Sequence, residues 1–238
     1  MVKLEIVDGL AVITIDRPEA RNAIAPSTME ELDEAIDTAA GARVLAITGS
    51  GDRVFVSGGD LKELAKLRTL EDARAMAWRM RGICQRLVDF PAPVIAAVNG
   101  HALGGGAEFA SAADIRLAAD DIKIGFNQST LAIMPAWGGL ERLAGMVGRS
   151  RAMLLAGTGR LLSAPEALEI GLVDQVFPRG SFDDDWRAVA ESLASAPATG
   201  IKKVIAGATP DEAVEEFAKL WVAEEHWAAA HRVLNRTR

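Results

Sequence analysis

The chain has 238 residues, with 26 Lys and Arg against 33 Asp and Glu, so its formal net charge is −7. Half of the residues are hydrophobic and a quarter are charged, which is the balance of an ordinary globular protein with a large core. The pI of about 5.1 argues against a basic nucleic-acid-binding surface. The single cysteine, Cys84, cannot form an internal disulfide, and no apolar run approaches the roughly 20 residues of a membrane span. We therefore expect a cytoplasmic protein that neither binds nucleic acid nor spans a membrane.

Strands and helices alternate from the start of the chain. Residues 2–7 alternate between apolar and polar side chains, and a turn separates them from a second strand at 10–15. Ser27 followed by Glu30 predicts a capping box at the start of the first helix. Residues 42–48 then predict a short buried strand. This early βαβ order favours an α/β architecture.

The same alternation continues through the middle of the chain. Further candidates follow in order: strands at 54–56, 94–98, 115–117 and 122–124, a long helix at 71–89, and a helix that begins near Gly106. Two more capping boxes are predicted, at Ser163 with Glu166 and at Thr209 with Glu212.

The last quarter of the chain differs in composition from the rest. Beyond residue 180 the strand patterns end, and the sequence becomes helical and charged, with Trp186, Trp221 and Trp227. No long linker or low-complexity segment separates the two parts. We predict a strand-rich core at residues 1–180, followed by a helical region at residues 181–238 that packs on something.

Three glycine-rich segments, at residues 55–60, 99–108 and 135–139, are the main candidates for a functional site. Glycine between a strand and a helix permits a tight turn and a close approach of the backbone to a ligand. The free N–H groups at the first turn of a helix carry a positive partial charge, so they can hold an anion or a developing oxyanion. Close packing of the elements explains any one segment equally well.

Glu108 is the most informative ionisable residue. It follows the glycine triplet at 104–106 and lies among the apolar residues Ala107, Phe109 and Ala110. A buried carboxylate beside free backbone N–H groups suits proton transfer. The alternative is an acid that complements the dipole at the start of a helix. The apolar surroundings favour catalysis.

Other site types are not supported by the sequence. Neither a phosphate-binding P-loop nor a dinucleotide fingerprint occurs, and the G-x-S-x-G pattern of a nucleophilic serine is missing. The three histidines, His101, His226 and His231, do not have the spacing of metal ligands. We expect no metal site.

Taken together, the segments resemble the crotonase family, the enoyl-CoA hydratase/isomerase superfamily, from Leu10 to about Pro178. The matching segments occur in the order of the family: a coenzyme A-contacting segment at 17–23, two oxyanion-hole loops at 55–63 and 93–108, and a helix leading into the last core strand at 163–178.

This resemblance implies an α/β fold, a crotonase-like spiral of ββα units with a helical C-terminal region that mediates homotrimers, often paired into homohexamers. It implies an acyl-CoA thioester substrate of fatty acid metabolism and no separate cofactor, because coenzyme A is part of the substrate. The thioester carbonyl would accept hydrogen bonds from the backbone N–H groups of Gly59 and Gly105. Contacts to the rest of the substrate would fall on Arg21, Ala23, Ser57, Asp60, Leu61, Gly104 and Pro135.

The chain departs from the pattern of hydratases in this family at one position. Those enzymes use two glutamates, one of which matches Glu108. The other precedes the Pro-x-x-Gly-Gly segment by seven residues, and counting back from Pro135 reaches Gln128. A glutamine side chain can orient water or substrate, but it cannot transfer a proton at neutral pH. The expected site therefore has one carboxylate, Glu108, with Gln128 beside it.

The resemblance implies an enzyme of the enoyl-CoA hydratase type, which adds water to a 2-enoyl-CoA thioester. With Gln128 in the second position, the alternatives are double-bond isomerisation, decarboxylation, thioester hydrolysis and acyl-CoA binding without catalysis. Trp137 is placed either to line the acyl pocket or to fill the core.

Overall fold

Ten strands form two sheets in residues 1–236, the part of the chain that the computed structural model describes. The strands are β1 (Val2–Val7), β2 (Leu10–Ile15), β3 (Val44–Gly49), β4 (Val54–Val56), β5 (Val94–Val98), β6 (His101–Leu103), β7 (Ile115–Ala119), β8 (Lys123–Gly125), β9 (Leu162–Ser163) and β10 (Gln175–Phe177).

Helices connect the strands and make up the C-terminal part of the described chain. They are α1 (Pro26–Thr38), α2 (Leu61–Leu64), α3 (Leu70–Val88), α4 (Gly105–Ala110), α5 (Gly139–Val147), α6 (Arg149–Thr158), α7 (Ala164–Glu169), α8 (Phe182–Leu193), α9 (Ala196–Ile205), α10 (Pro210–Trp221) and α11 (Glu224–Arg236). Two 3-10 helices are added at Pro18–Ala20 and Asn127–Leu131.

The chain alternates between the two sheets. The larger sheet has the order β1-β2-β3-β5-β7-β10, and the smaller has the order β4-β6-β8-β9. Strand β1 is antiparallel to β2 and β9 is antiparallel to β8, whereas the other pairs are parallel. Each of β3, β5 and β7 is followed by a strand of the smaller sheet and then by a helical segment. The predicted spiral of ββα units is confirmed.

The central strands of the larger sheet are buried on both faces. In β3 the residues Val44 to Ile47 are completely buried, and so is the whole of β5. Continuous apolar runs of this kind are typical of parallel strands covered on both sides. In the smaller sheet β4 pairs with β6, with Val54 opposite His101 and Val56 opposite Ala102. Because this pairing is parallel, the chain leaves both strands at the same edge of the sheet.

The first predicted helix start was wrong. The helix α1 begins at Pro26, and Ala25 is its N-cap. The backbone N–H of Ala25 donates to the hydroxyl of Thr28 at 3.3 Å, so Ser27 and Glu30 do not form the predicted capping box. Proline has no N–H to satisfy and has a helical φ already fixed, which places the helix start at Pro26.

The other two capping boxes are confirmed. Glu166 Oε2 accepts the backbone N–H of Ser163 at 2.8 Å, and Glu212 Oε2 accepts that of Thr209 at 2.8 Å. The long predicted helix runs as α3, one residue earlier than expected at each end. The strand β6 was not predicted, because only three residues separate two glycine turns there.

From Phe182 onward every described helix or strand is a helix, as the composition predicts. The last strand ends at Phe177, and the division into two domains at residue 180 stays a prediction. Several large apolar side chains on these helices are exposed, among them Ile205, Val214 and Phe217. No helix in the described part of the chain is both long and apolar enough to cross a membrane.

Candidate active site

The two predicted oxyanion loops are in direct contact. They leave the ends of β4 and β6, which the parallel pairing places side by side. A methyl group placed on Gly58 would lie 3.2 Å from the backbone nitrogen of Gly105. The first loop is also fixed to the segment after Ala23, since Ile24 N–H donates to Gly58 O at 2.8 Å and Asp60 N–H donates to Ile24 O at 2.9 Å.

The backbone N–H groups of Gly59 and Gly105, one on each loop, have no acceptor within the described residues. The adjacent N–H groups, of Asp60 and Gly104, donate to Ile24 O and Gly125 O, each at 2.9 Å. Gly105 is the first residue of α4, where backbone N–H groups carry a positive partial charge. Unpaired donors on two loops that are in contact suit a carbonyl oxygen that gains negative charge.

The start of α4 packs directly against β4. A methyl group on Gly106 would lie 1.8 Å from the carbonyl oxygen of Val56, so any larger residue would push the helix off the strand. This close packing fixes the position of the helix that carries Glu108.

Glu108 is 1% exposed, and its carboxylate accepts four hydrogen bonds. Oε1 accepts from the side-chain amide of Gln128 at 2.8 Å and from Ala136 N–H at 3.2 Å. Oε2 accepts from Trp137 N–H at 2.7 Å and from Gly139 N–H at 3.0 Å. A carboxylate offers about four acceptor positions, so all of them are used in this state.

Burial raises the pKa of Glu108 above its ordinary value, because removing the carboxylate from water disfavours its charged form. The N–H groups of Gly139, Trp137 and Ala136 and the guanidinium of Arg142 act in the opposite direction and offset part of this effect. A buried carboxyl group with a raised pKa beside free N–H donors is a candidate proton carrier.

Gln128, the residue in the second predicted catalytic position, is in direct contact with Glu108. It belongs to the 3-10 helix Asn127–Leu131 and is 8% exposed. Its NH₂ group donates to Glu108, whereas its carbonyl oxygen Oε1 is buried and has no partner in the described residues. A buried acceptor without a partner is rare in proteins and is available to a hydroxyl group or a water molecule.

Trp137 lies at this site. Its side chain is 6% exposed, and its benzene ring lies against Gly105. A methyl group on Gly105 would lie 2.4 Å from the ring atoms Cη2 and Cζ3, and one on Gly59 would lie 3.8 Å from Cζ2.

Most of the predicted coenzyme A contacts line one groove. The groove has a volume of about 710 Å³, reaches Gly59, and includes Arg21, Ala23, Ser57, Asp60 and Leu61. Two predicted contacts lie elsewhere. Gly104 is the N-cap of α4, and Pro135 is buried at the start of the segment that surrounds Glu108.

Sequence reasoning missed Arg17, which joins the groove to the first oxyanion loop. Its guanidinium donates to Asp60 Oδ2 at 2.9 Å and also to the carbonyl oxygen of Ala23. Burial opposes ionisation of Asp60, but the hydrogen bonds from Arg17, Glu63 N–H and Lys62 N–H outweigh it and hold the pKa of Asp60 below its ordinary value. The Arg-Pro pair that begins segment 17–23 was the available signal.

Arg142 was missed as well, and no motif marked it. From α5 its guanidinium donates to Trp137 O at 2.9 Å, to Glu108 O at 3.3 Å and to the hydroxyl of Ser111 at 3.1 Å. It therefore holds the segment around Glu108 against α4.

Comparison with known proteins agrees with this geometry. Residues 5–218 match the model of the enoyl-CoA hydratase/isomerase family. The chain belongs to this family. It is 42% identical over 175 residues to a protein of Bacillus subtilis (strain 168) named "Probable enoyl-CoA hydratase", which covers 72% of this chain and 67% of that protein.

Two further similarities cover more of the chain. A Clostridium acetobutylicum protein named "Short-chain-enoyl-CoA hydratase" is 37% identical over 204 residues, or 84% of this chain and 78% of that protein. The crystal structure of an enoyl-CoA hydratase from Bacillus anthracis superimposes with a TM-score of 0.87 at 30% identity, and covers 100% of this chain and 96% of that one.

We predict that Glu108→Gln lowers the free energy of unfolding by about 1–3 kcal/mol, because the amide NH₂ would face backbone N–H donors and leave them unpaired. Denaturant unfolding measures this change. The matched control is Glu141→Gln on α5, whose side chain is 62% exposed and whose loss we expect to cost no more than about 0.5 kcal/mol. Equal unfolding midpoints for the two variants would contradict the structural role of the Glu108 carboxylate.

Proposed function

We propose that this protein is an enoyl-CoA hydratase, which adds water across the Cα–Cβ double bond of a 2-enoyl-CoA thioester. The observation that carries the proposal is the placement of the buried Glu108 carboxylate one helical turn beyond Gly105, where the loop of Gly105 meets the loop of Gly59 and the N–H groups of both glycines are unpaired. Family membership and the names of the relatives support the same reaction.

Coenzyme A would lie in the groove that includes Arg21, Ala23 and Leu61 and ends at Gly59. Arg21 also lines a neighbouring cavity of about 620 Å³, together with Arg53 and His101. We assign the phosphate groups of coenzyme A to this basic part of the surface, and no metal or further cofactor enters the scheme.

In the proposed reaction, the thioester carbonyl accepts hydrogen bonds from Gly59 N–H and Gly105 N–H. The oxygen of a water molecule bonds to Cβ, the π electrons of the double bond move to the carbonyl oxygen as an enolate, and Glu108 takes one proton from the water. Glu108 then returns a proton to Cα, and the enolate collapses to a 3-hydroxyacyl-CoA. Each oxyanion donor is expected to contribute about 10²–10³ in rate.

Gln128 would orient the water. Its unpartnered Oε1 can accept one water hydrogen while the other points at Glu108. The water can reach the carboxylate only if one of its four donors gives way, and Gln128 is the one donor that belongs to a side chain. General acid–base help is worth about 10²–10⁴, so with one carboxylate in place of two the hydration should be slow.

Double-bond isomerisation is the second candidate reaction, and the presence of Gln128 favours it. Moving a proton from one carbon of the acyl chain to another needs the oxyanion donors and one carboxylate, which this site has. Decarboxylation and thioester hydrolysis make similar demands, and each of these reactions gives a different product.

For assembly and location, we propose a cytoplasmic homotrimer or homohexamer. The exposed apolar side chains of α9 to α11, which include Ile205, Val214 and Phe217, support contact between copies.

The cytoplasmic location is supported by the single cysteine, Cys84. It is fully buried, and burial raises its pKa to about 12, which is consistent with a protein that needs no disulfide.

Incubation with crotonyl-CoA in heavy-oxygen water should give a product heavier by one labelled water, as measured by mass spectrometry. Glu108→Gln should remove this product while binding of butyryl-CoA, measured by calorimetry, persists. Unchanged crotonyl-CoA together with turnover of a 3-enoyl-CoA would replace hydration by isomerisation. Binding of thioesters without any product would leave acyl-CoA binding as the function.

Gln128→Glu should raise the hydration rate by roughly an order of magnitude or more, because it supplies a second proton carrier beside Glu108. The measurement is kcat for crotonyl-CoA. Gln128→Met is the matched control, since it keeps the length of the side chain without an acid, and it should not raise the rate. If the glutamate variant were no faster than the wild-type protein, Gln128 would not be what limits hydration.

The rate should also depend on pH through Glu108. Below its pKa the carboxyl group is protonated and cannot take a proton from water, so kcat/KM falls as the pH decreases. Since burial raises this pKa, the fall should begin at a pH above the ordinary glutamate value of 4.5. A rate that stayed constant down to pH 4.5, with the fold intact by circular dichroism, would exclude Glu108 as the base.

A further inference from the structure

Trp137 places a large, flat side chain where the acyl group of a bound thioester would begin. Its ring atoms Cη2 and Cζ3 would lie only 2.4 Å from a methyl group on Gly105, and Cζ2 only 3.8 Å from one on Gly59. One edge of the indole therefore extends from one oxyanion residue to the other. A carbonyl oxygen bound to the N–H groups of these two glycines has its acyl carbons next to that edge.

Two hydrogen bonds fix the backbone of Trp137. Trp137 N–H donates to Glu108 Oε2 at 2.7 Å, and Trp137 O accepts from Arg142 Nη2 at 2.9 Å. The side chain itself is only 6% exposed, and its ring packs against Gly105.

A second apolar side chain lies near Gly59. Leu64 Cδ1 would lie 2.6 Å from a methyl group on Gly59, so this leucine also packs against an oxyanion residue. Trp137 and Leu64 therefore both lie beside Gly59, where they reduce the space for an acyl chain.

We propose that Trp137 is a specificity-determining residue that restricts the site to short acyl groups such as crotonyl. This proposal rests on the proposed function, because it concerns the acyl end of the same thioester. A single methylene group that fits or fails to fit an apolar pocket changes kcat/KM by about 10- to 200-fold. The discrimination against long acyl chains should therefore be large.

The test compares crotonyl-CoA with 2-decenoyl-CoA as substrates of the full-length protein. We expect the wild-type protein to favour crotonyl-CoA in kcat/KM by at least about 100-fold. Trp137→Ala and the milder Trp137→Phe should reduce this ratio at least tenfold, with Phe the smaller change. The control is Trp78→Ala on α3, whose side chain is 69% exposed and which should leave the ratio unchanged.

A wild-type protein that hydrates both substrates equally well would overturn the proposal. So would a folded Trp137→Phe variant with the wild-type ratio, and this variant decides the matter if Trp137→Ala does not fold.

Binding separates this proposal from the proposed function. If no enoyl-CoA is hydrated, calorimetry with butyryl-CoA and decanoyl-CoA still tests Trp137. Weaker binding of the longer thioester to the wild-type protein, relieved in the Trp137 variants, supports the specificity role without turnover. Tighter binding of decanoyl-CoA to the wild-type protein contradicts it.

Discussion

The organisation of the site depends on the hydrogen bonds that converge on the Glu108 carboxylate. Three of its four donors are backbone N–H groups from the segment that ends in Gly139, and the fourth is the amide of Gln128. A buried carboxylate is costly unless it is well hydrogen-bonded. The same four bonds join α4, the 3-10 helix Asn127–Leu131 and the start of α5. The hydrogen bonds that compensate for the buried charge of Glu108 therefore also hold these three segments of the site together.

This arrangement has chemical consequences. A carboxylate with all of its acceptor positions in use has to release one donor before it can act on water, and the side-chain donor is Gln128. The pKa of Glu108 reflects two opposing effects, burial that raises it and N–H donors that lower it, with burial the larger. The loop that supplies the donors also carries Trp137, so proton transfer and the space for the acyl group depend on the same backbone contacts.

Local sequence patterns were sufficient to predict the buried strands and the glycine loops. Apolar runs gave the buried strands β3 and β5, and the glycine segments gave the two loops that meet at Gly58 and Gly105. These patterns failed where two local signals in the sequence favoured different helix starts. At the start of α1 the Ser27–Glu30 pair resembles a capping box, but Pro26 begins the helix and Thr28 bonds to Ala25. Strand β6 is too short to have a period that a sequence pattern can reveal.

By itself, the sequence determined the α/β order and the two glycine loops, because these features depend on residue type and on spacing along the chain. The assignment of Gln128 to the second catalytic position came from the family resemblance. Only the tertiary structure decided which groups bond to Glu108, where the ring of Trp137 lies, and that Arg17 and Arg142 support the site. Those contacts join residues that are distant in the sequence, such as Arg17 and Asp60 or Glu108 and Gly139. No local pattern specifies them, because they arise only when the strands and helices pack together.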